Sequence, residues 1–336
     1  MVPKKIQDTA IAIVMILLIL QIGVIPSSSV PLQHTIDGRR LYVGGDGPGN
    51  YSRINDAIND AENGDTIFIY SGIYNEEVYV YKSVRLVGEN RYTTTINSEE
   101  EGDVILVTAP SVHIENLTAR NGGQGQKYPN DACIEICSDS VHVVNTICLQ
   151  TNYGIWIRDA RDAFIINNTI HCNYDGIWLI NSQNCTLRGN HMEGVSVALD
   201  GDTADDFLHE IDTSNTVNGR SVYYYKNQTK VNVPSDAGQV ILANCVGGNV
   251  YGLHISRVTD GVELCFSRGI TVKNCKIENT VDFGIRLVHS DCNLITRNEI
   301  LNWANKNSPL AQAICRGRFA DRYIFGTGLS RGFKKV

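Results

Sequence analysis

Four groups of residues in this 336-residue chain have types and spacings that suit chemistry. The first is Glu135, Trp156 and Trp178, with Arg158, Asp159 and Asp162 just beyond the first Trp. Indole rings stack on sugar faces while carboxylates bond to sugar hydroxyls, so Glu135, Trp156 and Trp178 form a candidate saccharide-binding set. Arg158, Asp159 and Asp162 mix basic and acidic groups as acid–base catalysis does, although such a run in a turn reads equally well as a solvated loop. The second group is Cys148, His171, Cys172 and Met192, whose sulfur and imidazole donors suit copper(I). Simple core packing of cysteine competes with that reading. The third, Asp200, Asp202, Asp205 and Asp206, offers hard oxygen ligands for Ca²⁺, without the spacing of an EF-hand and with a solvated acidic loop as the alternative. The fourth is five N-x-[ST] sequons, at Asn50, Asn116, Asn167, Asn184 and Asn227, which are acceptors for N-glycosylation in an exported chain.

Composition limits what these groups serve. There are 29 Lys and Arg against 36 Asp and Glu, a net charge of −7, which makes a phosphate-backbone partner such as nucleic acid a poor fit. With 43% hydrophobic and 19% charged residues, the chain has the apolar content to bury a core rather than stay disordered. One long apolar run is present, so a polytopic membrane protein is excluded. Lys4 and Lys5 precede that run, Ala10 to Ile25, and Pro26 and Ser27 to Ser29 follow it. Residues 1–29 therefore read as a secretory signal or membrane anchor. The remainder is expected outside the cell or on its surface, touching the membrane only through this segment.

The elements that must position the candidate groups come from a repeat. Asn145-Thr146-Ile147 recurs as Asn168-Thr169-Ile170 and Asn190-His191-Met192, and Gly154-Ile155-Trp156-Ile157 recurs as Gly176-Ile177-Trp178-Leu179. Gly261-Val262-Glu263-Leu264 recurs as Gly284-Ile285-Arg286-Leu287. The period is 22–23 residues, with apolar residues alternating in short runs between Gly and Asn. Alternation predicts strands with one face inward, and this period fits one coil of a three-sided parallel β-solenoid. Residues one period apart then form columns. One column should hold Asn145, Asn168, Asn190 and Asn298 as a structural amide ladder. Another should point Glu135, Trp156 and Trp178 outward, with Glu263 and Arg286 farther along as a cross-coil ion pair.

Upstream, Ser52 is expected to start a short helix burying Ile54, Ala57, Ile58 and Ala61, which would cap the open solenoid end. Between Asp200 and about Val240 the period breaks, and Asn218-Gly219 predicts a two-residue hairpin turn. The β-helix is expected over 41–303, with an insertion near 200–240 and an irregular basic tail over 304–336.

The residues now carry a resemblance. Ile54-Asn55-Asp56-Ala57-Ile58, Gly64-Asp65-Thr66-Ile67, Gly72-Ile73-Tyr74 and Val84-Arg85-Leu86-Val87-Gly88-Glu89 resemble the start of a carbohydrate-binding and sugar-hydrolysis β-helix domain. Ile211-Asp212-Thr213-Ser214-Asn215-Thr216-Val217-Asn218-Gly219, with Asp236-Ala237-Gly238 and Asn244-Cys245, resembles the periplasmic copper-binding NosD-like family common among archaeal cell-surface proteins. The resemblance implies an all-β, right-handed, pectin-lyase-like parallel β-helix. The expectation is an exported, non-catalytic β-helix protein of the cell envelope that binds glycan or an envelope protein. A polysaccharide lyase or hydrolase and a copper-delivery protein are the alternatives. The Asn-Thr-Asp, Asp-Asp and Gly-His-Gly set of polygalacturonases is not present together.

Overall fold

The computed structural model describes residues 38–99, 102–123 and 131–301. The apolar segment 1–29 and the basic tail 304–336 lie outside the described residues. Strands of mostly three to six residues wind as a parallel β-solenoid of about 12 turns. Strands Arg85–Gly88, Thr94–Asn97 and Ile105–Val107 make one coil, each on a different side. Alternation places one apolar column inside each sheet. Ile67, Leu86, Ile114, Val143, Ile165, Leu187 and Ile211 are successive register partners and all are buried. Branched aliphatic side chains stacked at the strand spacing, about 4.8 Å, fill the centre.

The one α-helix among the described residues, Ile54–Asp60, buries Ile54, Ala57 and Ile58. Its start differs from expectation. Arg53, not Ser52, occupies the N-cap and no side chain of its own caps it. Glu76, from the following coil, accepts the Ile54 and Asn55 N–H groups at 2.7 and 3.2 Å. The cap is supplied across space, where local sequence rules do not look.

The break after Asp200 is a change of direction. The first run completes its coil with strands Val197–Asp200, Glu210–Ile211 and Thr216–Val217. Val217 then pairs antiparallel with Arg220 across Asn218 and Gly219, which have φ of 51° and 76°. Two positive φ values are what a type I′ turn needs, and Asn-Gly supplies them. Strand Arg220–Lys226 continues the same 11-stranded sheet in the opposite sense and begins a second three-sided run.

The second run seals the first. Strand Val197–Asp200 is the last of its six-stranded sheet and would otherwise present an open edge. The Gln239 amide accepts from Val197 N at 3.1 Å and donates to Val197 O at 2.5 Å, as a neighbouring strand would. Thr259 Oγ1 accepts from Ser196 N at 3.1 Å, and Arg286 donates to Leu199 O at 2.8 Å. Strands Gln239–Ala243 and Val262–Cys265 are accordingly buried on both faces.

Candidate functional site: an acidic and aromatic sheet face

On the outer face of the six-stranded sheet, register places Tyr79, Leu106, Glu135, Trp156, Trp178 and Ala198 in one column. Glu135, Trp156 and Trp178 are thus brought onto consecutive coils, as the repeat predicts. The indoles, however, stack on each other, with centroids 4.9 Å apart and planes within 8°. They present edges rather than one flat surface, because the repeat that aligns them also turns their faces together. Tyr153 tilts against both rings at 5.7 and 5.0 Å, and the Arg158 guanidinium lies over Trp156 at 5.4 Å. Both Trp side chains are half-buried.

Around Glu135 the face is acidic. Arg158 forms an ion pair with Glu135, whose side chain is 7% exposed. Burial and a hydrogen bond to Glu135 push the Asp103 carboxyl up to about 9, so Asp103 keeps its proton at neutral pH. Asp103 also accepts from the Ala132 N–H at 2.7 Å. Burial, then Glu77 and Glu135, raise Asp131. Tyr79, 48% exposed, donates to Glu77. Sequence reasoning missed Glu77, Tyr79, Asp103, Asp131 and Tyr153. Only Tyr153 had a signal, since it stands one period before Asp175 with the same offset to its Trp.

Asp159 and Asp162 do not converge with Arg158. Their φ values are 52° and 55°, and each carboxylate accepts from the Asn one coil on, Asn181 at 3.2 Å and Asn184. They serve turn ladders, which corrects the expectation of an acid–base cluster there. Glu263 and Arg286 are register partners 3.6 Å apart, as expected, but they lie in the second run at the seam, not on the Trp column. The reversal at Asn218-Gly219 moves them.

The expected copper ligands are not assembled. Cys148 and Met192 point into the core, while His171 lies exposed on the other side of its strand. Cys172 donates to Asp175 O at 3.0 Å. The partner of Cys148 is Cys133, whose hydrogen bond, together with burial, raises the Cys148 thiol well above its usual value. A thiol held protonated is a poor metal ligand. Among the described residues, no group of three or more His, Cys, Asp or Glu is arranged to hold a metal ion. The residues do not fit copper.

The four aspartates also diverge. Asp206 accepts from Thr203 N and Oγ1 and from Gln183, closing a capping box on the 3₁₀ turn Ala204–Phe207. Asp200 pairs with Arg286 at 3.3 Å, and Asp202 and Asp205 face solvent. Among the sequon residues, Asn167, Asn184 and Asn227 are exposed and Asn50 and Asn116 half-buried. Asn50 and Asn184 already donate their Nδ2 groups to Gly44 O and Asp162.

Residues 34–309 match the family described as periplasmic copper-binding protein (NosD). The chain belongs to the NosD family. No curated protein matches it. Some solved structures also show similarity. They include a pectin methylesterase variant in complex with a hexasaccharide (13% identity, TM-score 0.39, covering 71% of this chain and 78% of that one). The pectin methylesterase PemA from Erwinia chrysanthemi is 12% identical, with a TM-score of 0.39 over 74% of this chain and 80% of that one. The catalytic domain of a GH87 α-1,3-glucanase variant in complex with tetrasaccharides is 13% identical, with a TM-score of 0.41 over 81% and 67%. At that distance they carry no argument about what this NosD-family chain does.

Proposed function

We propose that this NosD-family protein is exported and works as a non-catalytic β-helix that binds an envelope glycan along the Tyr79–Trp178 column. The observation that carries this is the alignment of aromatic edges and carboxylates on one sheet face, one coil apart. A polymer lying along the solenoid axis would meet Tyr79, Leu106, Glu135, Trp156 and Trp178 in turn, with Tyr79 exposed on the first strand of the face. The basic and signal-like features of residues 1–29 and the periplasmic description of the family support export.

The test is retention on immobilised envelope polysaccharides by the parent and by Tyr79→Ala, Glu135→Gln and Trp178→Ala. A central aromatic contact removed should weaken binding by on the order of 2 kcal/mol. Melting curves separate lost binding from lost stability. A parent that binds no envelope glycan, or variants that bind as it does, would defeat the reading.

A further inference from the structure

The seam between the two runs holds more carboxyls than its one guanidinium can pair. Arg286, whose side chain is 11% exposed, faces Asp200 at 3.3 Å, Glu263 at 3.6 Å and Asp260 at 3.9 Å. Asp260 and Glu263 are 1% and 0% exposed. Asp175, on strand Asp175–Ile180 of the first run, and Asp282, at the rim after strand Lys276–Thr280, add their charges to the same place. Tyr153, Cys172 and Cys265 are further titratable groups facing it. Five carboxyls therefore meet one guanidinium. Asp175 Oδ1, Glu263 Oε2 and Arg286 Nε are enclosed without a hydrogen-bond partner.

These groups sit on the contacts that close the joint. Asp260 N donates to Ser196 Oγ and Ser196 Oγ to Asp260 O, at 3.1 and 3.4 Å. Thr259 Oγ1 donates to Tyr174 O at 2.6 Å. Glu263 accepts from the Gln239 amide, at 3.3 Å, that holds Val197. Arg286 reaches both Leu199 O and the carboxyls. Charge state and seam closure therefore act on the same atoms.

We propose that the seam is a pH-sensitive latch, closed while its surplus carboxyls keep their protons and loosened as they lose them. The direction follows from burial. Asp260 is pushed up to about 7 from an ordinary value of 3.8, first by burial, with Asp282 and Asp200 adding to it and Arg286 opposing. Burial likewise raises Asp175, Glu263 and Asp282. The closed seam holds protons that the opened, hydrated seam releases. Closure is thus strongest below about pH 4 and weakens as pH rises through about 7 and beyond. What loosens is the shield over the edge strand Val197–Asp200.

The experiment is hydrogen exchange by mass spectrometry on the full chain from pH 5 to pH 9, corrected for intrinsic exchange. Peptides spanning 195–200 report the seam through the Ser196 and Val197 amides. Peptides spanning 141–145 serve as the internal reference. Protection at 195–200 should fall on the order of tenfold or more relative to the reference across that range. Asp260→Asn and Glu263→Gln keep the shape, remove a charge and should flatten the fall. If either fails to fold by circular dichroism, Asp282→Asn at the rim carries the same expectation. Equal pH profiles in the two regions, or an unchanged slope in the folded variants, would overturn the latch.

Discussion

The Asn190 side chain ties its coil to the coils on either side. Asn190 Nδ2 donates to Ile165 O and to Asn215 Oδ1, both at 2.8 Å, while its Oδ1 accepts from the Asn168 N–H and Nδ2. Asn190 is fully buried, so each abandoned partner keeps its desolvation cost. Asn190→Ala should destabilise by about 3 kcal/mol in urea melts, and a loss under about 1 kcal/mol would show that the ladder is dispensable. The ladder was legible as a period in the sequence, but its membership was not. The buried column runs Asn168, Asn190, Asn215, whereas Asn145 stands one position off, in a turn column with Asn116 and Asn167. Those three have φ of 52–59°, a left-handed conformation that Asn adopts more easily than most residues. Asn repeats there for a backbone reason, and a 23-residue step mimics a 22-residue one. The same limit applies to the candidate site. Glu135 and the two Trp share a repeat position and could be found, while Asp103 and Asp131 hold no matching position in the repeat and reach Glu135 only through folding.

Strands were more legible than their ends. Alternation marks Ile155-Trp156-Ile157 and its copies because one face must be apolar, and the observed strands Tyr153–Arg158 and Asp175–Ile180 contain them. The helix Ile54–Asp60 shows the opposite case. Its apolar face could be read from spacing, but its cap could not, because the carboxylate of Glu76 lies 22 residues away. Glu76 serves the Ile54 and Asn55 N–H groups and the Asn55 side chain together. Glu76→Ala should therefore cost about 1–2 kcal/mol, the upper end of N-cap losses, while Ser52→Ala should leave the melt nearly unchanged. Equal effects from the two would return the cap to the local sequence.

At the scale of the whole molecule, the sequence period carries the β-solenoid but not its reversal. Columns are blind to direction: Val262 follows the same repeat as Ile155 whether or not the chain has turned back between them. The Asn218-Gly219 turn was readable, yet nothing in two residues says that a second run will fold over the first. A chain ending at Asn218 tests how much the molecule depends on that return. It would bare strand Val197–Asp200 and the Ser196 N–H before it, backbone groups that Gln239, Arg286 and Thr259 otherwise occupy. Such a fragment should associate through that edge and scatter light at concentrations where the full chain is clear; a monodisperse fragment would show that the edge needs no shield. The same seal has a cost in time. Arg286 lies 87 residues beyond the carbonyl it covers. At common synthesis rates that stretch takes on the order of ten seconds to emerge, so the newborn first run waits with an adhesive flank until its own distal end arrives.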